Sequence, residues 1–79
     1  QGAVRIHQDV SLYAAALERG ATIEHALAPG RHAWLQIVDG DVEVAGHLLH
    51  AGDGLAVSDE SAITMTGVEP AEILLFDLA

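Results

Sequence analysis

The stretch Pro29-Gly30-Arg31-His32-Ala33-Trp34-Leu35-Gln36-Ile37-Val38-Asp39-Gly40-Asp41-Val42-Glu43-Val44 decides the fold class. Val42 and Val44 alternate with Asp41 and Glu43, the period of a half-buried strand. Trp34 to Val38 is more continuously apolar, as a strand covered on both faces would be. Between the two runs, Asp39-Gly40 is the strongest hairpin signal in the chain, because both residues tolerate positive φ. The same alternation extends outward. Val4 and Ile6, Ile23 to Leu27, and Ile63 with Met65 repeat it, and Ile73 to Leu78 is another continuous apolar run. Pro29-Gly30, Gly46, Gly52-Asp53-Gly54 and Gly67 punctuate these runs at short intervals. The pattern predicts an all-β domain of about eight short antiparallel strands, a sandwich or small barrel. One segment resists. Ser11 to Arg19 has a Ser cap, an Ala-rich middle and a following Gly20, and its propensity favours a short helix.

Composition narrows the function. The chain has 79 residues, with 3 basic side chains against 12 acidic ones and a formal charge of −9. Nucleic acid is an unfavourable partner, because phosphate contacts draw on clustered Lys and Arg. With no cysteine, a disulfide scaffold or a thiolate zinc site is excluded. The longest stretch free of acidic and basic residues, Val44 to Gly52, falls far short of the ~20 apolar residues of a spanning helix. Arg5 is followed by polar His7-Gln8-Asp9 and no apolar run, so the start does not read as a signal peptide. No membrane association is expected, and the setting is read as cytoplasmic. A chain this short buries only roughly 60–65% of its unfolded surface, so a covalent neighbour domain or an oligomer partner is expected. Its only methionine is Met65, which also reads as a piece of a longer protein.

Taken in order, Pro29-Gly30-Arg31-His32-Ala33-Trp34 through Val42 resembles a cupin core hairpin. Leu49-His50-Ala51-Gly52-Asp53-Gly54 through Glu60 is similar to the second cupin turn. With His7-Gln8-Asp9, Leu12-Tyr13-Ala14, Ser58-Asp59-Glu60-Ser61-Ala62 and Glu72-Ile73-Leu74-Leu75-Phe76-Asp77-Leu78, nearly the whole chain resembles the C-terminal cupin domain of bacterial pirin-like proteins, the quercetinase C-terminal domain. The resemblance implies that residues 1–79 form a single cupin domain, the C-terminal half of a two-cupin protein. It implies that Ser11 to Arg19 is a strand. It also implies that a divalent metal, held by three His and a Glu, sits in the N-terminal cupin, where several family members oxidise quercetin with dioxygen.

The residues agree that catalysis lies elsewhere. A cupin site aims two imidazoles one residue apart, a Glu and a further His into one cavity, leaving open coordination positions. Counting back from Gly40 puts the paired-His positions at Ala26 and Ala28, and the Glu position near His32. Ala56-Val57-Ser58-Asp59-Glu60 replaces the second motif without a His. The histidines stand at 7, 25, 32, 47 and 50, so no shift of count creates a His-x-His. No catalytic, cofactor-binding or metal residue is therefore assigned in this chain.

Lesser candidates remain. His25 and His32 flank the Pro29-Gly30 turn and, with Trp34, are the weak candidates for a ligand pocket at the barrel mouth. Against this stands the plainer reading of two polar side chains there and a core or interdomain Trp34. His47 and His50 would face opposite sides of a strand, and a solvated loop is favoured for them. His7 is expected to bond a backbone group. Ser11, Ser58 and Ser61 sit in no Gly-x-Ser-x-Gly elbow. Asp39/Asp41 and Asp59/Glu60 read as solvated turn carboxylates. Gly52-Asp53-Gly54 lacks the Lys and third Gly of a phosphate loop. The expected partners are an N-terminal cupin of the same polypeptide or a second copy. The alternative is a free-standing small cupin that homodimerises and binds a small molecule or metal in its barrel.

Overall fold

A computed structural model describes residues 10–79. The expected strand at Val4 and Ile6, and His7, lie outside the described residues. Eight strands follow one another: β1 (Val10–Leu17), β2 (Thr22–Ala26), β3 (His32–Asp39), β4 (Asp41–Val44), β5 (His47–His50), β6 (Gly54–Ser58), β7 (Ala62–Gly67) and β8 (Ala71–Leu78). They form two four-stranded antiparallel sheets, ordered β1-β8-β3-β6 and β2-β7-β4-β5. The sheets face each other as a sandwich, and the inward side chains fill the gap. Leu35, Ile37, Val42, Val44 and Met65 are the largest side chains wholly removed from water. Each contributes about 1.5–3 kcal/mol of hydrophobic stabilisation.

The two residues expected to make a hairpin do something else. β3 and β4 lie in different sheets, so Asp39-Gly40 is a corner where the chain crosses the sandwich. The β3–β8 register shifts between Ile37 and Asp39, which bends the strand out of its sheet. Gly40 has φ +80°, and a Cβ there would run into the Pro70 carbonyl oxygen and lie 2.6 Å from the Ala71 Cα. The hairpin is one step later. Ala45 (φ 52°) and Gly46 (φ 81°) join β4 to β5, and Val44 pairs with His47. Two central residues of positive φ are the two-residue loop that matches strand twist.

Residues 11–19 also depart from their local preference. β1 pairs with β8 across its full length, from Val10 opposite Leu78 to Leu17 opposite Ala71. A helix would leave that edge of β8 without partners, and Leu17 would lose its buried position. Tertiary pairing overrides the propensity of the alanines. The implied strand is what forms. Among the described residues, no helix is long and apolar enough to cross a membrane.

Gly46→Ala meets no atom within 4 Å and should cost about 1 kcal/mol, the strain of a left-handed residue. Gly40→Ala adds overlap with backbone and should cost about 3 kcal/mol or more. Denaturant midpoints of the two variants check the order, and equal losses would contradict the corner at Gly40.

Candidate functional site

Alternation decides which side chains reach the interior. On β2, Ile23 and His25 are half-buried and Leu27 just beyond is buried, while Ala26 and Ala28 are exposed. The inward register therefore runs through His25 and Leu27. This corrects the count that put Ala26 and Ala28 at the paired positions. Shifting the count by one moves the later carboxylate position from near His32 toward Arg31. His25 pairs across the sheet with Ile63.

Three charged or titratable side chains meet at this end of the sandwich. Asp77, on central strand β8, is the buried polar residue of the described core, at 7% exposure. Its Oδ2 accepts from His25 Nε2 at 2.8 Å, and its Oδ1 from Arg31 Nε at 2.5 Å. Arg31 also donates from Nη2 to the Asp77 carbonyl at 3.0 Å. Arg31 is set on the loop between β2 and β3 by the Pro29-Gly30 turn, closed by Arg31 N donating to the Ala28 carbonyl at 3.2 Å. The Tyr13 ring lies against the His25 ring, centroids 4.8 Å apart and tilted by 55°. A carboxylate only accepts hydrogen bonds, so His25 carries its proton on Nε2.

Burial alone would raise the Asp77 pKa. Hydrogen bonds from Arg31 and His25, with their charges, outweigh it and hold the carboxyl below its ordinary value of 3.8. The cluster thus presents an internally neutralised cation. It gives an arriving metal ion a guanidinium where an acceptor is needed. Among the described residues, no three His, Cys, Asp or Glu side chains converge in a way that could hold a metal ion.

The sequence candidates do not come together. His25 faces inward, but His32 and Trp34 lie on β3 with exposed side chains, one either side of buried Ala33. They belong to the outer face of the sheet. His32 Nδ1 pairs with the Ser58 hydroxyl at 2.8 Å. Trp34 Nε1 donates to Gln36 Oε1 at 3.3 Å, and its indole lies over Gly54, whose missing side chain makes room for it. His47 and His50 are on β5, in a strand and not a loop. His47 lines a cleft of ≈390 Å³ with Val44, Leu55, Val57, Glu60 and Ile63. His50 bonds Asp41 Oδ1 at 2.8 Å, and that hydrogen bond and charge raise its pKa above 6.5.

The matches with known proteins agree with this architecture. Residues 1–78 match the family model of the quercetinase C-terminal cupin domain. The chain belongs to that family. It is 40% identical over 77 residues to the quercetin 2,3-dioxygenase of Escherichia coli K12, covering 98% of this chain and 33% of that protein. A pirin-like protein of Caulobacter vibrioides is also 40% identical, over the same shares of each chain. The crystal structure of YhhW from Escherichia coli superposes with a TM-score of 0.90 over 94% of this chain and 32% of its own. A second YhhW structure, in complex with nickel(II), gives 0.89 over 95% and 33%. This quercetinase C-terminal cupin thus spans about a third of the curated relatives it matches. At 16% identity, a designed double-stranded β-helix shares the fold alone, with a TM-score of 0.66.

Asp77→Asn removes the buried charge to which both Arg31 and His25 bond and should cost about 3 kcal/mol in equilibrium unfolding. Because the folded pKa is depressed, the unfolded chain takes up this proton first as pH falls. The stabilisation is therefore complete above the ordinary aspartate value and disappears as pH drops through the lower folded value. The variant should lack that segment of the acid-unfolding curve, and an unchanged curve would refute the role given to Asp77.

Proposed function

We propose that this chain is the C-terminal cupin of a pirin-like protein of the quercetin 2,3-dioxygenase type, a barrel without a metal of its own. Its role is structural. It supports a catalytic cupin that precedes it in the same polypeptide, and the residues that would bind the metal and the flavonol lie in that other domain. One observation carries the reading. The inward end of the sandwich is filled by Asp77 with Arg31 and His25 both bound to it, and Leu27 and Ile63 beside them. A fixed guanidinium and two aliphatic side chains do not make a coordination sphere of imidazoles and carboxylate. The relatives' names supply the activity proposed for the whole protein, and the nickel(II) complex of YhhW supports a divalent metal in it.

A second reading rests on the cleft beside β6 and β7. Its ≈390 Å³ and its mixed lining, with His47 and Glu60 among aliphatic side chains, would suit a small organic molecule. In that case the barrel would act alone as a binding module.

Elemental analysis separates the two cupins. The purified 79-residue chain, refolded or expressed with nickel, iron, zinc and copper, should retain less than about a tenth of an equivalent of any metal. The longer polypeptide should retain about one. One tightly held ion per isolated chain would overturn the reading.

A further inference from the structure

The sandwich is covered very differently on its two outer sides. The outer side of β2-β7-β4-β5 carries Thr22, Glu24, Glu43, Thr64 and Thr66, with Thr22 and Thr66 hydroxyls 3.0 Å apart, as expected of a solvated sheet. The outer side of β1-β8-β3-β6 has an apolar row that runs from edge to edge. Leu12 stands beside Phe76, which stands beside Trp34 and then Ala56. Val10, Leu78, His32 and Ser58 form the next row, and Ala14, Leu74, Gln36 and Gly54 the one after. Val10, Leu12, Trp34 and Val38 are 59%, 57%, 40% and 49% exposed. Glu72 and, opposite it, Asp39 are the carboxylates of these rows, at the end where the alanines of β1 leave a hollow of ≈440 Å³ between Ala14, Ala16, Val38 and Leu74. A contiguous apolar face of this kind marks a contact surface.

We infer that the outer face of β1-β8-β3-β6 is the surface on which the catalytic cupin of the same polypeptide docks, with Trp34 as the central anchor and the β1 hollow as the seat for a protruding partner side chain. The inference rests on the functional reading above. The occupant follows from two observations. The relatives devote about a third of their length to this domain, so the other two-thirds must lie against some part of it or hang free. A second copy is the poorer fit, because each chain carries a formal −9 and a self-paired face would bring two such charges together. A neighbour tethered in the same chain meets the face at high effective concentration, so even a modest apolar contact stays closed. The indole suits an anchor. It is held flat over Gly54 and oriented by Gln36, which itself donates to the Asp53 carbonyl at 3.1 Å. Little side-chain freedom remains to be lost on docking.

Hydroxyl-radical footprinting of the full-length polypeptide, at a concentration where sedimentation shows a monomer, tests this. Leu48, 53% exposed on the polar sheet's side, is the internal reference. Trp34 and Leu12 should be at least fivefold protected relative to Leu48, after correction for intrinsic reactivity. Trp34→Glu or Val38→Glu should split the thermal transition and open the interdomain linker to protease, whereas Thr64→Glu on the other sheet should do neither. Intrinsic-rate modification of Trp34 and Leu12 overturns the inference. So does protection that the isolated chain also shows and that grows with its concentration, which would assign the face to a second copy. A metal bound in this barrel would end the functional reading yet leave the footprint unchanged, so the two failures are distinguishable.

Discussion

A carboxylate at 7% exposure stays ionised in a sandwich only if cations and donors surround it. Asp77 is that group, and much of one end of the molecule is arranged around it. It draws the Pro29-Gly30 loop inward through Arg31. It fixes the proton of His25 on Nε2, and the His25 ring in turn meets Tyr13 from β1. Strands β1, β2 and β8 and the loop leading into β3 are thereby tied together at this end. The same pairing satisfies the buried charge.

Most of the fold was legible because strand alternation is a local signal. β2, β4 and β7 follow directly from apolar residues at every second position, and β3 and β8 from continuous apolar runs. The errors came where the answer is not local. Asp39-Gly40 has the chemistry of a hairpin, yet its close packing against Pro70 and Ala71, about thirty positions on, turns it into a corner. Residues 11–19 have helical preferences and become a strand because β8 offers a complete edge. The actual hairpin has Ala45 at its first turn position, where sequence rules look for Asn, Asp or Gly.

The site was less legible. His25 was singled out, but its partner Asp77, which also binds Arg31, lies 52 residues away. One signal was available. Asp77 is the acidic residue inside the apolar run Ile73 to Leu78, and a charge on a central strand demands a counterion. His32 and Trp34 were grouped with His25 by closeness in sequence, and the period of two then sent them to the opposite side of their sheet. The apolar continuity of Trp34 to Val38 and Ile73 to Leu78 had suggested cover on both faces. Among the described residues only the inner cover is supplied.

The order of strands in the sheets also bears on synthesis. The centre of each sheet is built late: β8 lies between β1 and β3, and β7 between β2 and β4. β2 must wait for a partner 44 residues downstream, and β1 for the last strand of all. Until then only the β4–β5 hairpin and the β3–β6 pair can form. Assembly is consequently dominated by distant contacts, which places it among slow-folding topologies and leaves β1 and β2 with unpaired edges until the later strands arrive.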